Sequence, residues 1–373
     1  MTDTLSTSEP PTTQPPPEGG KPAGGVASEG MAGAEVSTRL RPPVLILAFG
    51  LLVAAVLLGI LVGPIAIPPG AAIVELISRL PGIDLDSGLT IRETDILWQI
   101  RFPRVVLGAL VGATLALAGA AYQGVFRNAL ADPFLLGVAA GAGLGATIAF
   151  SQNGGGGPLL PVAAFAGAVL AVGATYTLGR SVGGRSTVTL VVAGVAVTSF
   201  FTAVQTYLQH RSEIDLRSLY SWLLGRLSTT GWSEVRTAAP YAIVAAVVIL
   251  LHRRLLDVMA LDDQETAALG VDPSRVRIFV VLAATLGTAA AVAVSGLIAF
   301  VGIIVPHTVR LLSGVSYRRV LPLSCIIGGA FLVGADVAAR TVVAPAELPI
   351  GVVTAFVGAP FFLLVLRLNR KST

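Results

Sequence analysis

Residues that could support acid–base or metal chemistry are few and far apart in this chain. The three histidines, His210, His252 and His307, form no H-x-x-x-H or H-E-x-x-H motif, and the single cysteine, Cys325, lies in an apolar run. The H-E-x-x-H motif of zinc metalloproteases places two histidines on one helix face, with the glutamate as general base. The sequence therefore predicts no catalytic residue, no metal site and no disulfide framework.

A nucleotide-binding loop is also missing from the sequence. The motif G-x-x-x-x-G-K-[ST] places a lysine on the phosphates, but Lys21 is followed by Pro22 and Lys371 lies at the C-terminal end. If ATP drives this protein, the ATP and its Mg²⁺ must be bound by a separate polypeptide.

Two charged residues within an apolar segment are more informative. Asp336 and Arg340 are four residues apart, so on a helix they share one face and can pair. A charge inside a membrane is costly and is by default a functional candidate. The alternative is structural: Asp336 satisfies a neighbouring helix while Arg340 reaches the outer interface.

The elements that would position these residues are membrane helices. Charged residues make up 12% of the chain and hydrophobic residues 54%, whereas soluble domains carry about 25% charged residues. Apolar runs of about 20 residues are long enough to cross the hydrocarbon core. We predict an all-α integral membrane protein with ten transmembrane helices, at about 44–67, 104–124, 133–150, 159–179, 187–208, 238–251, 278–296, 302–314, 320–339 and 350–366.

The distribution of basic residues predicts the orientation of these helices. With both termini in the cytoplasm, the short outer loops 151–158 and 341–349 contain no Lys or Arg, as the positive-inside rule requires. The rule also requires an even number of crossings between Arg277 and Arg318. This supports dividing the uncharged run 278–309 into two helices that turn near Gly296 and Gly302.

The first 41 residues differ in composition from the rest. They are rich in Pro, Thr, Ser, Gly and Glu, and such a segment cannot bury enough apolar surface to fold. We predict a disordered cytoplasmic tail over 1–41 and a single membrane domain over 42–373.

Small residues recur at four-residue spacing in two of the predicted helices. Gly108 and Gly112 form one set, and Gly137, Gly141 and Gly145 form another. This spacing allows close approach of helix backbones within lipid.

The largest predicted cytoplasmic loop, residues 253–277, contains a short helix at about 260–269. Its acidic residues lie at the N-terminal side, as the helix dipole favours. Gly270 is placed to end it, and Asp272-Pro273 to begin the next helix. From these residues alone, an amphipathic helix lying on the membrane surface is favoured over a docking element.

Three sequence blocks, in the same order, resemble the permease subunits of ABC importers for iron–siderophore complexes, haem and cobalamin, the FecCD family. The first block, 101–145, contains R-x-P-R and Q-x-x-x-R-N-x-L-A-x-P. The second spans 296–314 and the third 329–361. The resemblance extends over about residues 44–368 and implies a bundle similar to that of the cobalamin-importer permease.

The resemblance implies a role for three groups of residues. The loop 253–277 would be the segment that couples to the ATPase, through Asp262, Glu265, Ala267, Ala268, Leu269 and Gly270. Arg101, Arg104 and Arg340 would dock glutamates of the binding protein at the outer mouth. Ser186 and Thr187 would form a cytoplasmic gate, although capping of a helix N-terminus would also explain them.

The implied function is permeation of a ferric siderophore through the cell membrane, with cobalamin or haem as alternative cargo. The implied partners are an ATP-binding cassette subunit, an extracytoplasmic substrate-binding protein, a second permease subunit and membrane lipid, with no nucleic acid. An ion-coupled secondary transporter is the alternative from another class. Such carriers place acids at mid-membrane, and Asp336 is the only acid well inside a predicted span.

Overall fold

Helices make up the regular structure of the computed structural model, which describes residues 42–82, 85–153, 159–181, 187–212, 214–227 and 231–369. Those ranges contain no β-strand. The predicted N-terminal tail lies outside them. In chain order the helices are α1 (Pro42–Leu61), α2 (Pro69–Ser78), α3 (Ile91–Asp95), a π-helical turn (Ile96–Arg101), α4 (Phe102–Val125), a 3₁₀ turn (Pro133–Leu136), α5 (Val138–Asn153), α6 (Leu159–Ser181), α7 (Thr187–Arg211), α8 (Leu216–Leu223), α9 (Ser233–Leu251), α10 (Arg253–Val258), α11 (Asp263–Ala268), α12 (Pro273–Ser295), α13 (Val301–Ser313), α14 (Tyr317–Thr341) and α15 (Ile350–Asn369).

Each of the ten predicted spans coincides with one helix of the bundle. Among the described residues, seven helices are long and apolar enough to cross a membrane: α1, α4, α6, α7, α9, α12 and α14. Four more, α2, α5, α13 and α15, are shorter apolar helices, and α2 does not correspond to a predicted span. The predicted all-α membrane fold is therefore confirmed, and each of the ten predicted spans has its helix among the described residues. The division of 278–309 is also confirmed, since α12 ends at Ser295 and α13 begins at Val301.

Helices α4, α12 and α14 form the centre of the bundle. Most residues of their apolar windows are buried, 72% for both α4 and α12 and 67% for α14. The windows of α1 and α7 are only 22% and 17% buried. Apolar side chains pack no better on protein than on lipid tails, so small residues that bring backbones together decide which helices lie inside.

Close approach at the predicted glycines is confirmed for three of the five. A Cβ on Gly112 would meet the backbone of Gly328 on α14 nearer than 3.0 Å, a separation that real Cβ atoms essentially never show. The same holds for Gly141 and Gly145 against the backbone of α6. Gly108 faces the side chain of Leu227 at 3.1 Å.

Gly137 has a different role from the one that its spacing predicts. Its φ of +87° ends the 3₁₀ turn before α5, and a Cβ there would find its nearest atoms at 3.5 Å. The residue is required for its backbone conformation rather than for close packing.

The turn between α12 and α13 also differs in detail from the prediction. Gly296, with φ of +69°, does end α12, but the second left-handed residue is Phe300, with φ of +70°. Gly302 lies inside α13, where it packs against Gly119 of α4. Gly302 is therefore a packing residue and not a turn residue.

Candidate functional site

The segment predicted to couple to an ATPase, residues 253–277, consists of α10, α11 and the start of α12, and we refer to it as the coupling segment. The side chain of Asp262 accepts a hydrogen bond from the backbone N–H of Glu265 at 2.7 Å, which makes it the N-cap of α11. Gly270, with φ of +80°, follows α11, and Asp272 caps α12. The predicted extent of the helix, 260–269, is wrong, because capping by Asp262 starts α11 only at Asp263.

The six residues predicted for ATPase coupling all lie on the exposed side of this segment. Leu269 is an apolar side chain that is 62% exposed, next to the left-handed turn at Gly270. In contrast, Thr266 is fully buried and donates a hydrogen bond to the backbone oxygen of Val258 at 3.2 Å. The tip of the segment, residues 267–270, is thus presented outward from an anchored base.

Asp257 attaches the base of the segment to α14. Its carboxylate accepts hydrogen bonds from the hydroxyl of Ser316 at 2.9 Å and from the backbone N–H of Tyr317. Arg318 approaches the same carboxylate at 3.2 Å. A carboxylate at the N-terminus of α14 also complements the helix dipole.

Two of the three arginines predicted to dock a binding protein are buried at the other end of the bundle. Arg101 donates to the backbone oxygens of Ile60, Leu61 and Ile65, and Arg340 donates to those of Gly59 and Val62. Each arginine is only 3% exposed. Together they satisfy the carbonyl groups that the C-terminus of α1 leaves unpaired, a favourable place for positive charge.

The third arginine, Arg104, joins two acidic residues from different parts of the chain. It pairs with Asp336 at 2.9 Å and bridges both carboxylate oxygens of Glu347 at 3.0 and 2.9 Å. Asp336 also pairs with Arg340 at 3.0 Å, as their spacing predicts. We call Arg101, Arg104, Asp336, Arg340 and Glu347 the outer cluster, after the side on which the predicted orientation places them.

Solvent reaches the outer cluster at one edge. The side chain of Glu347 is 42% exposed and that of Arg104 is 13% exposed, whereas those of Asp336 and Arg340 are each 2% exposed. Of the three predicted docking residues, Arg104 is the one that a partner could reach. Docking itself stays a prediction.

The predicted cytoplasmic gate falls largely outside the described residues. Ser186 is not among them, and Thr187 is described only as the first residue of α7. The gate role of this pair stays a prediction.

The outer cluster and the coupling segment lie at opposite ends of one helix. Arg104 is at the start of α4 and Arg127 follows its end. The 24 residues of α4 extend about 36 Å at 1.5 Å per residue. This exceeds the roughly 30 Å hydrocarbon core, so α4 is long enough to place the two groups on opposite faces of a membrane.

Comparison with known proteins establishes the family. The model of the FecCD transport family matches residues 51–368. The chain belongs to the FecCD transport family. It is therefore a multi-pass membrane protein of a transport family.

Several FecCD relatives are similar over most of their length. The cobalamin import system permease protein BtuC of Halobacterium salinarum is 43% identical over 73% of this chain and 73% of its own length. The iron(3+)-hydroxamate import permease FhuB of Bacillus subtilis is 38% identical over 74% of this chain and 72% of its own. The hemin transport permease HmuU of Yersinia pestis is 37% identical over 74% of this chain and 86% of its own length.

A solved structure supports the same fold. An inward-facing metal-chelate type ABC transporter superimposes with a TM-score of 0.77 at 28% identity, and the match covers 88% of this chain and 99% of the other.

The FecCD motif Q-x-x-x-R-N-x-L-A-x-P connects three parts of the bundle. Gln123 donates to the backbone oxygen of Gly302 at 3.0 Å and accepts from Arg310, which links α4 to α13. Arg127 contacts the coupling segment through Met259 and Asp263. Sequence reasoning missed these contacts because they join residues more than 100 positions apart. The R-N pair at the end of α4 was the one signal that could have indicated them.

Asp132, in the same FecCD motif, is a buried acid whose ionisation affects stability. Its carboxylate accepts from the backbone N–H of Phe134 at 2.8 Å and is 9% exposed. Burial raises the pKa of Asp132 to about 6, and the hydrogen bond from Phe134 offsets only part of that increase. Because the folded-state pKa lies above the unfolded value, the charged form destabilises the fold. The resulting loss in the free energy of unfolding is absent below about pH 4 and reaches its full value above about pH 6.

Lowering the pH from 7.5 to 4.5 should therefore stabilise the wild-type protein relative to Asp132→Asn by about 2 kcal/mol. The asparagine keeps the hydrogen bond from Phe134 but cannot ionise, so the comparison cancels every other titrating group. The measurement is unfolding in detergent micelles at several pH values between 4.5 and 7.5. Identical pH dependence of the two proteins would show that Asp132 does not ionise in this range.

Proposed function

We propose that this chain is the membrane-spanning permease subunit of an ATP-driven importer that translocates a ferric siderophore. In this proposal an extracytoplasmic binding protein delivers the cargo, and two permease subunits act beside two ATPase subunits. Both termini of the chain are cytoplasmic. The observation that carries the proposal is the coupling segment: its tip is exposed, its base is anchored to α14, and the chain belongs to the FecCD family.

The proposed ATPase contact is the tip of the coupling segment. Leu269 is an exposed apolar side chain suited to a pocket on a partner, and Asp262 and Gly270 hold the ends of α11 in a defined conformation. ATP and Mg²⁺ are proposed to be bound by that partner and not by this chain.

The proposed contact for the binding protein is the exposed edge of the outer cluster. Arg104 holds both carboxylate oxygens of Glu347 in two hydrogen bonds, and in this proposal a glutamate of the partner replaces the exposed Glu347 in the same bidentate geometry. Opposite charges at such a surface set the orientation and increase the rate of encounter.

Lipid and a second permease subunit are proposed to cover the apolar faces of the outer helices. On α7, the side chains of Val192, Val195 and Phe200 are 60–66% exposed. Faces of this kind are stable only against hydrocarbon or another protein.

Relatives support three kinds of cargo. Iron chelates are the named cargo of several, among them the hydroxamate permease FhuB and the citrate permease YfmD of Bacillus subtilis, which is 36% identical. The 43% identity to a cobalamin permease favours cobalamin as the second candidate, and the hemin permease HmuU keeps haem as a third.

The contacts of Asp336 count against an ion-coupled carrier. A carboxylate that binds a transported proton or cation must be reachable from a water-filled cavity. Asp336 is 1% exposed and lies between two arginines, so its charge is already balanced within the chain.

Reconstitution tests the proposal directly. The chain is placed in liposomes with the ATPase and the binding protein encoded beside its gene, and ATP hydrolysis and uptake are followed with ferric siderophore, cobalamin or haemin. Stimulation by one loaded binding protein would support import and name the cargo. Uptake that is driven by a proton gradient and does not depend on ATP would overturn the proposal.

Leu269→Glu should weaken the ATPase association by at least about tenfold, since a charged side chain would be placed in an apolar contact at the centre of an interface. Val315→Glu is the matched control, because Val315 is 71% exposed between α13 and α14, at the same end of the bundle but outside the coupling segment. Co-purification and titration of the ATPase measure the effect. Equal ATPase binding by Leu269→Glu and wild type would exclude the tip as the contact.

A further inference from the structure

Arg127 connects the end of α4 to the turn between α10 and α11. Its backbone is left-handed, with φ of +47°, a conformation that few residues with a side chain adopt. The Nε group donates to the backbone oxygen of Met259 at 2.6 Å, and Nη2 contacts the carboxylate of Asp263. Because Met259 and Asp263 flank the turn, one guanidinium holds both of its ends.

Asp263 is held from a second direction by Arg277 of α12, at 3.4 Å. The side chain of Arg277 is only 11% exposed, whereas that of Arg127 is 33% exposed. Partial burial alone would raise the pKa of Asp263, but the two arginines outweigh it and lower the pKa. The carboxylate is therefore charged at neutral pH and forms charge-assisted hydrogen bonds, the stronger kind.

The chain beyond Arg127 has little freedom before it enters α5. The side chain of Asn128 accepts from the backbone N–H of Leu130 at 2.9 Å, and its backbone oxygen accepts from Ala131 at 3.0 Å. Asp132 then caps the 3₁₀ turn that leads into α5. A displacement of Arg127 would therefore also move the end of α4 and the start of α5.

We propose that Arg127 is a positioning residue that transmits movement of the coupling segment to the membrane helices α4 and α5. This inference rests on the proposed function, since it requires an ATPase that moves the coupling segment. Asp257 attaches the same segment to α14, and that attachment holds the segment in place when Arg127 is changed. Loss of Arg127 should therefore separate ATP hydrolysis from transport without releasing the ATPase.

The experiment uses the complete complex in liposomes and measures cargo transported per ATP hydrolysed. For Arg127→Gln we expect ATPase co-purification and ATP hydrolysis close to wild type, with transport per ATP lower by about tenfold, an ordinary size for coupling between sites. Arg127→Lys keeps the charge and should restore part of the ratio. Asp263→Asn should reproduce part of the defect, because Arg127 keeps its hydrogen bond to Met259. The double variant should lower the ratio by less than the product of the two single effects, as expected of residues that share a contact.

Arg275→Gln is the matched control. Arg275 lies in the same segment, its side chain is 82% exposed, and it pairs with Asp272 within its own helix. Its transport per ATP should equal that of wild type.

Two results would overturn the inference while the proposed function stands. In the first, the wild-type complex imports cargo with ATP, and the Arg127→Gln complex transports the same amount of cargo per ATP hydrolysed. The other is loss of ATPase binding in Arg127→Gln, which would make the residue part of the docking surface. A wild-type complex with no ATP-driven import would instead refute the proposed function, and the inference with it.

Discussion

Replacing Asp336 with alanine is expected to lower the free energy of unfolding by about 3–5 kcal/mol, the cost of leaving a buried charge without its partner. Asp336 is 1% exposed and lies between Arg104 at 2.9 Å and Arg340 at 3.0 Å. Without the carboxylate, two guanidinium groups would face each other in a region of low dielectric constant. Equilibrium unfolding in mixed detergent micelles measures the loss.

Glu347→Ala is the control for Asp336→Ala, because both acids pair with Arg104 at 2.9 Å, but Glu347 is more exposed and lacks the second pair that Asp336 makes with Arg340. The side chain of Glu347 is 42% exposed, and an ion pair open to solvent contributes about 1 kcal/mol or less. If both substitutions have equally small effects, the outer cluster does not stabilise the fold in the way its burial implies.

Gly167→Ala on α6 is expected to destabilise the protein by about 3 kcal/mol, at the upper end of the cost of overpacking. A Cβ at this position would lie nearer than 3.0 Å to the backbone of Gly141 on α5. Backbone atoms cannot rotate away as a side chain would, so α5 and α6 must separate and lose contacts along their whole interface. Thermal unfolding in detergent, followed by the fraction of monodisperse protein, measures the effect.

Gly173→Ala, on the same helix, provides the comparison for Gly167→Ala. A Cβ on Gly173 meets no atom within 4 Å, so this change adds the same methyl group without a collision. We expect stability equal to or slightly above wild type, as alanine favours a helix more than glycine does. Similar losses for the two variants would mean that the α5–α6 contact is not limited by backbone approach.

The membrane helices were predictable because the signal for each is local. About 20 apolar residues without charge give a helix wherever they occur, and all ten predicted spans coincide with helices. The ends of the helices were less predictable. The helix at 133–150 begins instead at Val138, because Asp132 caps a 3₁₀ turn that Gly137 ends in a left-handed conformation.

The candidate site was predictable to the extent that its residues act through their neighbours in sequence. The start of α12 at Asp272 and the left-handed turn at Gly270 follow from residue type and position, whereas the cap at Asp262, which starts α11, was not predicted. The burial of Arg101 and Arg340 could not be predicted in this way, because their acceptors are backbone oxygens at the end of α1. Every residue has such an oxygen, so the residue types do not indicate which ones accept.

The sequence by itself determined the class, the number of membrane helices and the FecCD family, because apolar length, charge distribution and short motifs are properties of contiguous residues. Only the tertiary structure decided which charges meet. Arg104 and Asp336 are 232 positions apart, and Arg127 and Asp263 are 136 apart. Such pairs form where packed helices bring distant segments together. That packing depends on small residues at backbone contacts, as at Gly112 and Gly328, and not on any local pattern of charge.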